Sequence, residues 1–418
     1  MKTVFTSALH HATGLVRARN AGEATRVIQR ALGVGRQAPS PDERSRPPEQ
    51  NTIRERHETG AGEQRHAGGF EDASLRGATA KGPATAQVKR PLGEILERLR
   101  QAELPHFVPE GAPFMKLRKA PPVPVPEGAA YLARSFSCVA GSRDYKVYVP
   151  SRKTRRKRPL IIMLHGCTQN ADDFAAGTGM NRLAEEHDFI VAYPAQSAGA
   201  NPSVCWNWFK RADQLRDAGE PSIIAGVTRA IMAEFGIDAG RIYVAGLSAG
   251  GAMAAILSAT YPDLYAAMGI HSGLAYGSAT DMASAFAAMR GAARPQAPGE
   301  RKRHSKRGES GVRTIVFHGT GDRTVHPSNA ERILSEARAG LAGPAFETQQ
   351  KGSAGGRFYT RTVIADARGI PHAEYWSIDG LGHAWSGGSL DGSYTDPQGP
   401  EASREMLRFF LASQAAKG

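Results

Sequence analysis

The chain has 418 residues, a formal net charge of +13 and three cysteines. That length admits two or three domains, three cysteines are too few for a disulfide framework, and there is no run of roughly 18 apolar residues long enough to cross a membrane. The positive charge invites a nucleic-acid partner, so where the charges fall has to be weighed.

The start, Met1 to His11, has one basic residue but no sustained apolar core, and it runs on into Arg17, Arg19 and Glu23. It is a poor signal peptide and favours a cytoplasmic protein. Leu9, Leu15, Val16, Val27, Ile28, Ala31 and Leu32 suit two short amphipathic helices within residues 1–36, broken near Asn20 to Gly22. Their apolar faces could dock on a hydrophobic surface, on the chain's own domain or on a second subunit. Residues 37–126 are rich in Pro, Gly, Ala, Arg and Glu, a mixture that buries too little to offset the entropy of ordering, and they read as a disordered linker. Within that linker, Ile95, Leu96 and Leu99 mark a short helix over 92–104, and Pro121 to Pro126 forms a stiff extended end.

From residue 127 onward the pattern becomes globular. Strands are expected at 145–149, 160–164, 189–193, 241–245, 266–271, 313–318 and 375–378, alternating with helices at 172–187, 220–235, 249–260, 328–339 and 400–413. This alternation predicts an α/β domain with a mostly parallel sheet covered by helices on both faces, its site at the carboxyl ends of the strands. Two stretches, 275–312 and 340–373, show no clear strand. The basic run Arg152 to Arg158 joins the first two strands and reads as an exposed hairpin loop, while Arg301 to Arg307 lies in a Pro/Gly-rich insertion. Neither has interleaved aromatics, so no specific nucleic-acid partner is expected.

The chemistry is concentrated in four places. Leu160 to Leu164 leads into His165-Gly166-Cys167-Thr168-Gln169-Asn170, a loop whose glycine lets backbone approach a substrate. Next, Gly246-Leu247-Ser248-Ala249-Gly250 lies between an apolar strand and a helix, which presents a serine hydroxyl on a tight turn. The amides of Cys167 and Ala249 would then receive the oxyanion that forms when Ser248 attacks a carbonyl. Asp322, in the loop after the strand 313–318, is the leading acid, and His383, in the loop after 375–378, is the leading base. Asp379 competes with Asp322 by position. His271, His318, His326 and His372 are rivals for the base, but lone histidines at strand ends and in loops are commonly structural or solvated.

These motifs, with Cys205-Trp206-Asn207-Trp208, His271-Ser272-Gly273 and Gly382-His383-Ala384-Trp385, resemble those of the poly(3-hydroxybutyrate) depolymerase family of α/β-hydrolase esterases over about residues 130–415. The resemblance implies ester hydrolysis through an acyl-enzyme, with no metal or cofactor required. It implies a polyester or its oligomers as substrate and a polyester granule surface as partner. It also implies that Cys167 and Cys205 can be bridged, whereas Cys138 is read as a buried or free thiol. His165, Trp206 and Trp385 are expected to bind substrate, with Trp208 weighed beside them. Glu23 to Leu32 is similar to the N-terminal helical segment of some non-secreted members, while secreted members keep an extracellular location open. A carbohydrate esterase acting on feruloyl or acetyl esters would keep every catalytic residue. A serine peptidase of the same fold often carries propeller repeats, which this chain lacks. A non-catalytic granule-binding protein would not need the full Ser, Asp and His set.

Overall fold

The computed structural model describes residues 123–292, 311–341 and 343–412. The expected helices of 1–36, the linker before residue 123, the helix over 92–104 and the basic run 301–307 lie outside the described residues. In chain order the elements begin with β1 (Ala130–Cys138), β2 (Gly141–Val149), β3 (Arg158–Leu164), α1 (Ala171–Thr178), α2 (Met180–His187) and β4 (Ile190–Pro194). There follow α3 (Gly219–Phe235), β5 (Ile237–Leu247), α4 (Ala249–Thr260), β6 (Ala267–His271), α5 (Met282–Met289), β7 (Arg313–Gly319) and α6 (Ser328–Ala339). The chain continues through β8 (Phe346–Ala354), β9 (Arg357–Ala365), β10 (Pro371–Ile378), β11 (Trp385–Ser386), β12 (Thr395–Asp396) and α7 (Ala402–Leu411).

Ten strands form one sheet in the order β1-β2-β4-β3-β5-β6-β7-β10-β9-β8. The six strands from β4 to β10 in that order run parallel, and the strands flanking them at both edges are antiparallel. Side chains alternate across a strand, so a sheet covered on both faces needs apolar residues at every position of its central strands. In β3, Leu160, Ile162 and Leu164 join the core under α3 and α4, whereas Ile161 and Met163 face the opposite core with α1, α2 and α7. β5 repeats the pattern, with Ile242 and Val244 on one side and Tyr243, Ala245 and Leu247 on the other. Full burial of each such aliphatic side chain contributes roughly 1.5–3 kcal/mol, which is why these runs fix the sheet.

Several expectations change. The helix expected over 172–187 is two helices, because Gly179 at φ 61° closes α1 and opens α2. Asn170 caps α1 by accepting the Asp173 amide at 2.9 Å. Arg152 to Arg158 is largely exposed, but it is not a hairpin: β2 and β3 each pair with β4, which lies between them. Within 275–312 the chain forms α5, whose capping box pairs Asp281 with Ser284. Within 340–373 it forms the β8–β9 hairpin, turning at Gly355 and Gly356 with φ values of 52° and 83°. Two adjacent residues with positive φ suit the type I′ turn that hairpins prefer.

Candidate functional site

Ser248 stands between the end of β5 and the first residue of α4, with φ 56° and ψ −119°. A non-glycine residue in that region costs on the order of 1–3 kcal/mol, so its surroundings must hold it there. They do so by closeness: a Cβ on Gly246 would lie 2.4 Å from the Gly250 backbone, and one on Gly250 would lie 2.0 Å from the Leu164 carbonyl oxygen. Only glycine at both positions lets strand, turn and helix meet. The Ser248 amide donates to the His271 carbonyl at 2.9 Å, and the Ser248 carbonyl accepts from the Ala252 amide at 2.9 Å.

The loop after β3 wraps the same turn. Gly166 sits so close that a Cβ on it would be 3.6 Å from the Ser248 Cβ. Among the described residues, the Cys167 amide donates no hydrogen bond to protein. Ala249 is the first residue of α4, where an amide has no intrahelical acceptor. Both N–H groups are therefore available to an anion beside Ser248. Cys167 is disulfide-bonded to Cys205, with 4.2 Å between their Cα atoms, which ties the loop to the Trp206 segment. Cys138 is a free thiol, and it is exposed rather than buried.

In the loops after β10 and β7, His383 Nδ1 lies 2.8 Å from Asp322 Oδ2. The carboxylate is 4% exposed, and its Oδ1 accepts the amides of Thr324 and Val325, each at 2.9 Å. His318 Nε2 donates to the Val325 carbonyl at 2.8 Å and lies 3.4 Å from Asp322 Oδ2. Burial works against ionising Asp322, but His318, His383 and the Val325 amide overcome it and hold the carboxyl well below the usual carboxylate range. An ionised Asp322 can only accept, so His383 donates through Nδ1 and keeps Nε2 as an acceptor. His271, whose carbonyl accepts the Ser248 amide, is fully buried, and that burial holds its imidazole well below the ordinary histidine range.

The rivals have other work. Asp379 is exposed, and its amide and carbonyl bond to Phe358 and Arg357. His271 Nε2 accepts the Ser386 amide at 3.0 Å in a fully buried setting. His326 is exposed beside Ser328, and His372 is buried on the strand β10.

The three side chains expected to bind substrate are all buried. Trp206 is 0% exposed and donates its indole N–H to the His165 carbonyl at 3.1 Å. Trp385 is 1% exposed, donates to Ser403 Oγ at 3.1 Å and stacks on His271. His165 donates through Nδ1 to the Gly166 carbonyl and accepts the Gln196 amide at Nε2, so both ring nitrogens are occupied by main chain. Burial pushes His165 down to about 4, which keeps it neutral. His165 and Trp206 are thus tied together at the start of the loop after β3, and Trp385 lies against His271. Trp208 is buried as well.

Sequence reasoning missed a buried carboxylate, Glu220 on α3, which accepts from Arg143, Gln196 and both nitrogens of Asn207 and so explains the asparagine between the two tryptophans. It also missed Tyr394, an exposed aromatic at φ 52° whose hydroxyl lies 3.0 Å from Thr168 Oγ1 on the loop after β3. Among the described residues, no group of three or more His, Cys, Asp or Glu is placed to hold a metal ion, and no helix is long and apolar enough to cross a membrane.

The chain matches known proteins. Residues 143–346 match the family described as Esterase PHB depolymerase. Poly(3-hydroxyalkanoate) depolymerase C of Paucimonas lemoignei is 36% identical over 253 residues, covering 60% of this chain and 60% of that protein. Feruloyl esterase B of Neurospora crassa is 32% identical over 273 residues, covering 63% of this chain and 86% of that protein. Among solved structures, the acetyl xylan esterase from Aspergillus awamori matches with a TM-score of 0.49 at 22% identity, covering 58% of this chain and 89% of its own. The chain belongs to the poly(3-hydroxybutyrate) depolymerase family of esterases.

Proposed function

We propose that this chain is a serine esterase that cleaves carboxylic esters through an acyl-enzyme, with poly(3-hydroxybutyrate) or its oligomers as substrate. The observation that carries this reading is the 2.8 Å bond between His383 and a buried Asp322, in a chain whose Ser248 is held on a strained turn between strand and helix. Ser248 Oγ attacks the ester carbonyl while His383 Nε2 takes its proton, and Asp322 stabilises the imidazolium that results. The amides of Cys167 and Ala249 receive the oxyanion. Collapse of the tetrahedral species expels the alcohol, protonated by His383, and leaves an acyl-enzyme on Ser248. Water, deprotonated by His383, then releases the acid and restores the serine.

The polyester substrate is supported by the family match and by the depolymerase relative, of which the chain spans 60% of the length. A second reading, esterase action on feruloyl or acetyl groups of polysaccharides, is supported by the feruloyl esterase relative, of which it spans 86%. A granule surface is the expected partner of the first reading only. The Cys167–Cys205 bond favours an oxidising compartment over the cytoplasm expected from the N-terminus. Initial rates on p-nitrophenyl esters, hydroxybutyrate oligomers and feruloyl esters, measured side by side with the Ser248→Ala variant, test the activity and rank the substrates. Faster turnover of feruloyl esters than of hydroxybutyrate oligomers would transfer the assignment to the second reading.

A further inference from the structure

The loop His165 to Asn170 contains one residue whose side chain neither the fold nor the proposed reaction has yet used. Gln169 is 2% exposed, and its Oε1 accepts the Gly166 amide at 2.9 Å. The other end of the same amide, Nε2, donates to Asp173 Oδ2 and to the Ser393 carbonyl, each at 2.9 Å, and reaches Ser393 Oγ at 3.3 Å. One donor faces Oε1 and three acceptors face Nε2, so the orientation of the amide is fixed by its partners. Asp173, 4% exposed, completes a ring by accepting the Ser393 amide at 2.9 Å and the Ser393 hydroxyl at 2.6 Å.

Ser393 belongs to the segment that follows His383. Trp385, two residues past the histidine, donates its amide to the Tyr394 carbonyl at 2.7 Å, and β11 pairs with β12 just beyond. The ring therefore joins two walls of the site: the loop that carries the Cys167 amide and the segment that carries the imidazole. A second link crosses the same gap where the Tyr394 hydroxyl meets Thr168 Oγ1 at 3.0 Å. Thr168 and Tyr394 both hold positive φ, 63° and 52°, as residues do where neighbours dictate the backbone.

We propose that Gln169, with Asp173 and Ser393, is a positioning clamp that sets the Cys167 amide against the His383 side of the site. The proposal rests on the esterase reading above and names residues that act through others rather than on substrate. Its physical basis is that an oxyanion donor works only if it is fixed in advance at the place where charge develops. The Gly166 amide is the N–H just before that of Cys167. Pinning it to a buried side chain fixes the peptide plane before the one that carries the Cys167 N–H, and the Gln169 main-chain amide holds that second plane by donating to the Gly166 carbonyl at 3.3 Å. Because each polar group in the ring is satisfied, the ring is rigid, and cutting it frees the loop in a direction that substrate binding does not itself correct.

The experiment measures p-nitrophenyl butyrate hydrolysis and inhibition by phenylboronic acid, which forms a tetrahedral adduct on an active serine, in wild type, Ser248→Ala, Gln169→Leu and Gln169→Glu. Leucine removes both ends of the link. Glutamate keeps the acceptor for Gly166 but turns the donor facing Asp173 into a like charge. In both Gln169 variants kcat is expected to fall about 10²-fold, as small misplacement of a donor does, with KM changed less than about threefold. Affinity for the boronic acid is expected to weaken by a similar factor, since the adduct needs the same donors. Far-UV circular dichroism and a native count of one reactive thiol, that of Cys138, confirm the fold and the disulfide. A role confined to stability would lower the melting temperature and leave kcat and boronate affinity alone, and that result overturns the clamp. Should Gln169→Leu fail to fold, Gln169→Glu decides, and wild-type kcat in a folded variant overturns it equally. A wild-type protein that does not hydrolyse the ester overturns the esterase reading and the clamp together, whereas an active wild type with unaffected Gln169 variants overturns the clamp alone.

Discussion

At the scale of single residues the site depends on what each group is prevented from doing. Ser248 is held at a costly backbone angle directly before the helix that begins at Ala249, and its side chain does not cap that helix. Replacing it with alanine removes one oxygen from a turn whose shape is set by glycines, so Ser248→Ala should fold normally and lose ester hydrolysis by on the order of 10⁴–10⁶ in kcat. A variant retaining a tenth of the wild-type rate would remove Ser248 from the mechanism. Asp322 is prevented from protonating by His318, His383 and two amides. Asp322→Asn can donate to His383 Nδ1 and so favours the wrong tautomer, which in a comparable triad costs about 10⁴ in kcat. Asp379→Asn, changed on an exposed carboxylate, should stay within about twofold of wild type. Steady-state rates of the two variants decide between the carboxylates, and an equal loss would contradict the assignment. The position of these groups was legible in the sequence because each follows a strand end and each role admits few residue types. The roles of His165, Trp206 and Trp385 were not, because an aromatic beside a motif has the same pattern whether it lines a groove or supports one. All three are buried.

At the scale of elements the loop after β3 is held at four points: by His165, by the disulfide at Cys167, by Gln169 and by the cap at Asn170. His165 makes this bracing sensitive to acid. An unfolded chain protonates histidine near 6.5, while burial of His165 delays that to about 4, against the weaker pull of the Gly166 carbonyl and Asp173 toward the charged form. Below pH 6.5 the unfolded state takes the extra proton, so the stability this group contributes is complete above that value and lost as pH falls toward 4. Its size is on the order of 3 kcal/mol. His271, lowered for the same reason, adds loss in the same direction. Urea unfolding at pH 7 and pH 4.5 should therefore show a smaller drop in stability for His165→Gln than for wild type, and equal drops would assign the acid sensitivity elsewhere. The buried strands of this region were readable as apolar runs. The β8–β9 hairpin was not, since most of β8 is exposed and an uncovered strand needs no alternation; its one signal was Gly355-Gly356. The Asp173–Ser393 contact joins residues 220 apart in sequence, a distance over which local pattern carries no information.

At the scale of the whole chain the candidate site is drawn from one stretch of the described residues. Its groups lie between His165 and Tyr394, and the sheet that presents them begins at Ala130. No catalytic, oxyanion or clamp residue falls within the first 122 residues, so a chain beginning at residue 123 should hydrolyse soluble p-nitrophenyl esters within about twofold of the full-length rate. Adsorption is a separate matter. The apolar spacing of Leu9, Leu15, Val16, Val27, Ile28, Ala31 and Leu32 fits helices that lie on a hydrophobic surface, where affinity scales with the apolar area buried. Removing them should lower the fraction of protein that pellets with poly(3-hydroxybutyrate) granules while leaving the soluble-ester rate intact. Unchanged pelleting would reject the surface anchor and leave the esterase standing. Loss of soluble-ester activity in a truncated protein that still melts cooperatively would show instead that the first 122 residues support the catalytic domain directly, the second use that an amphipathic face allows.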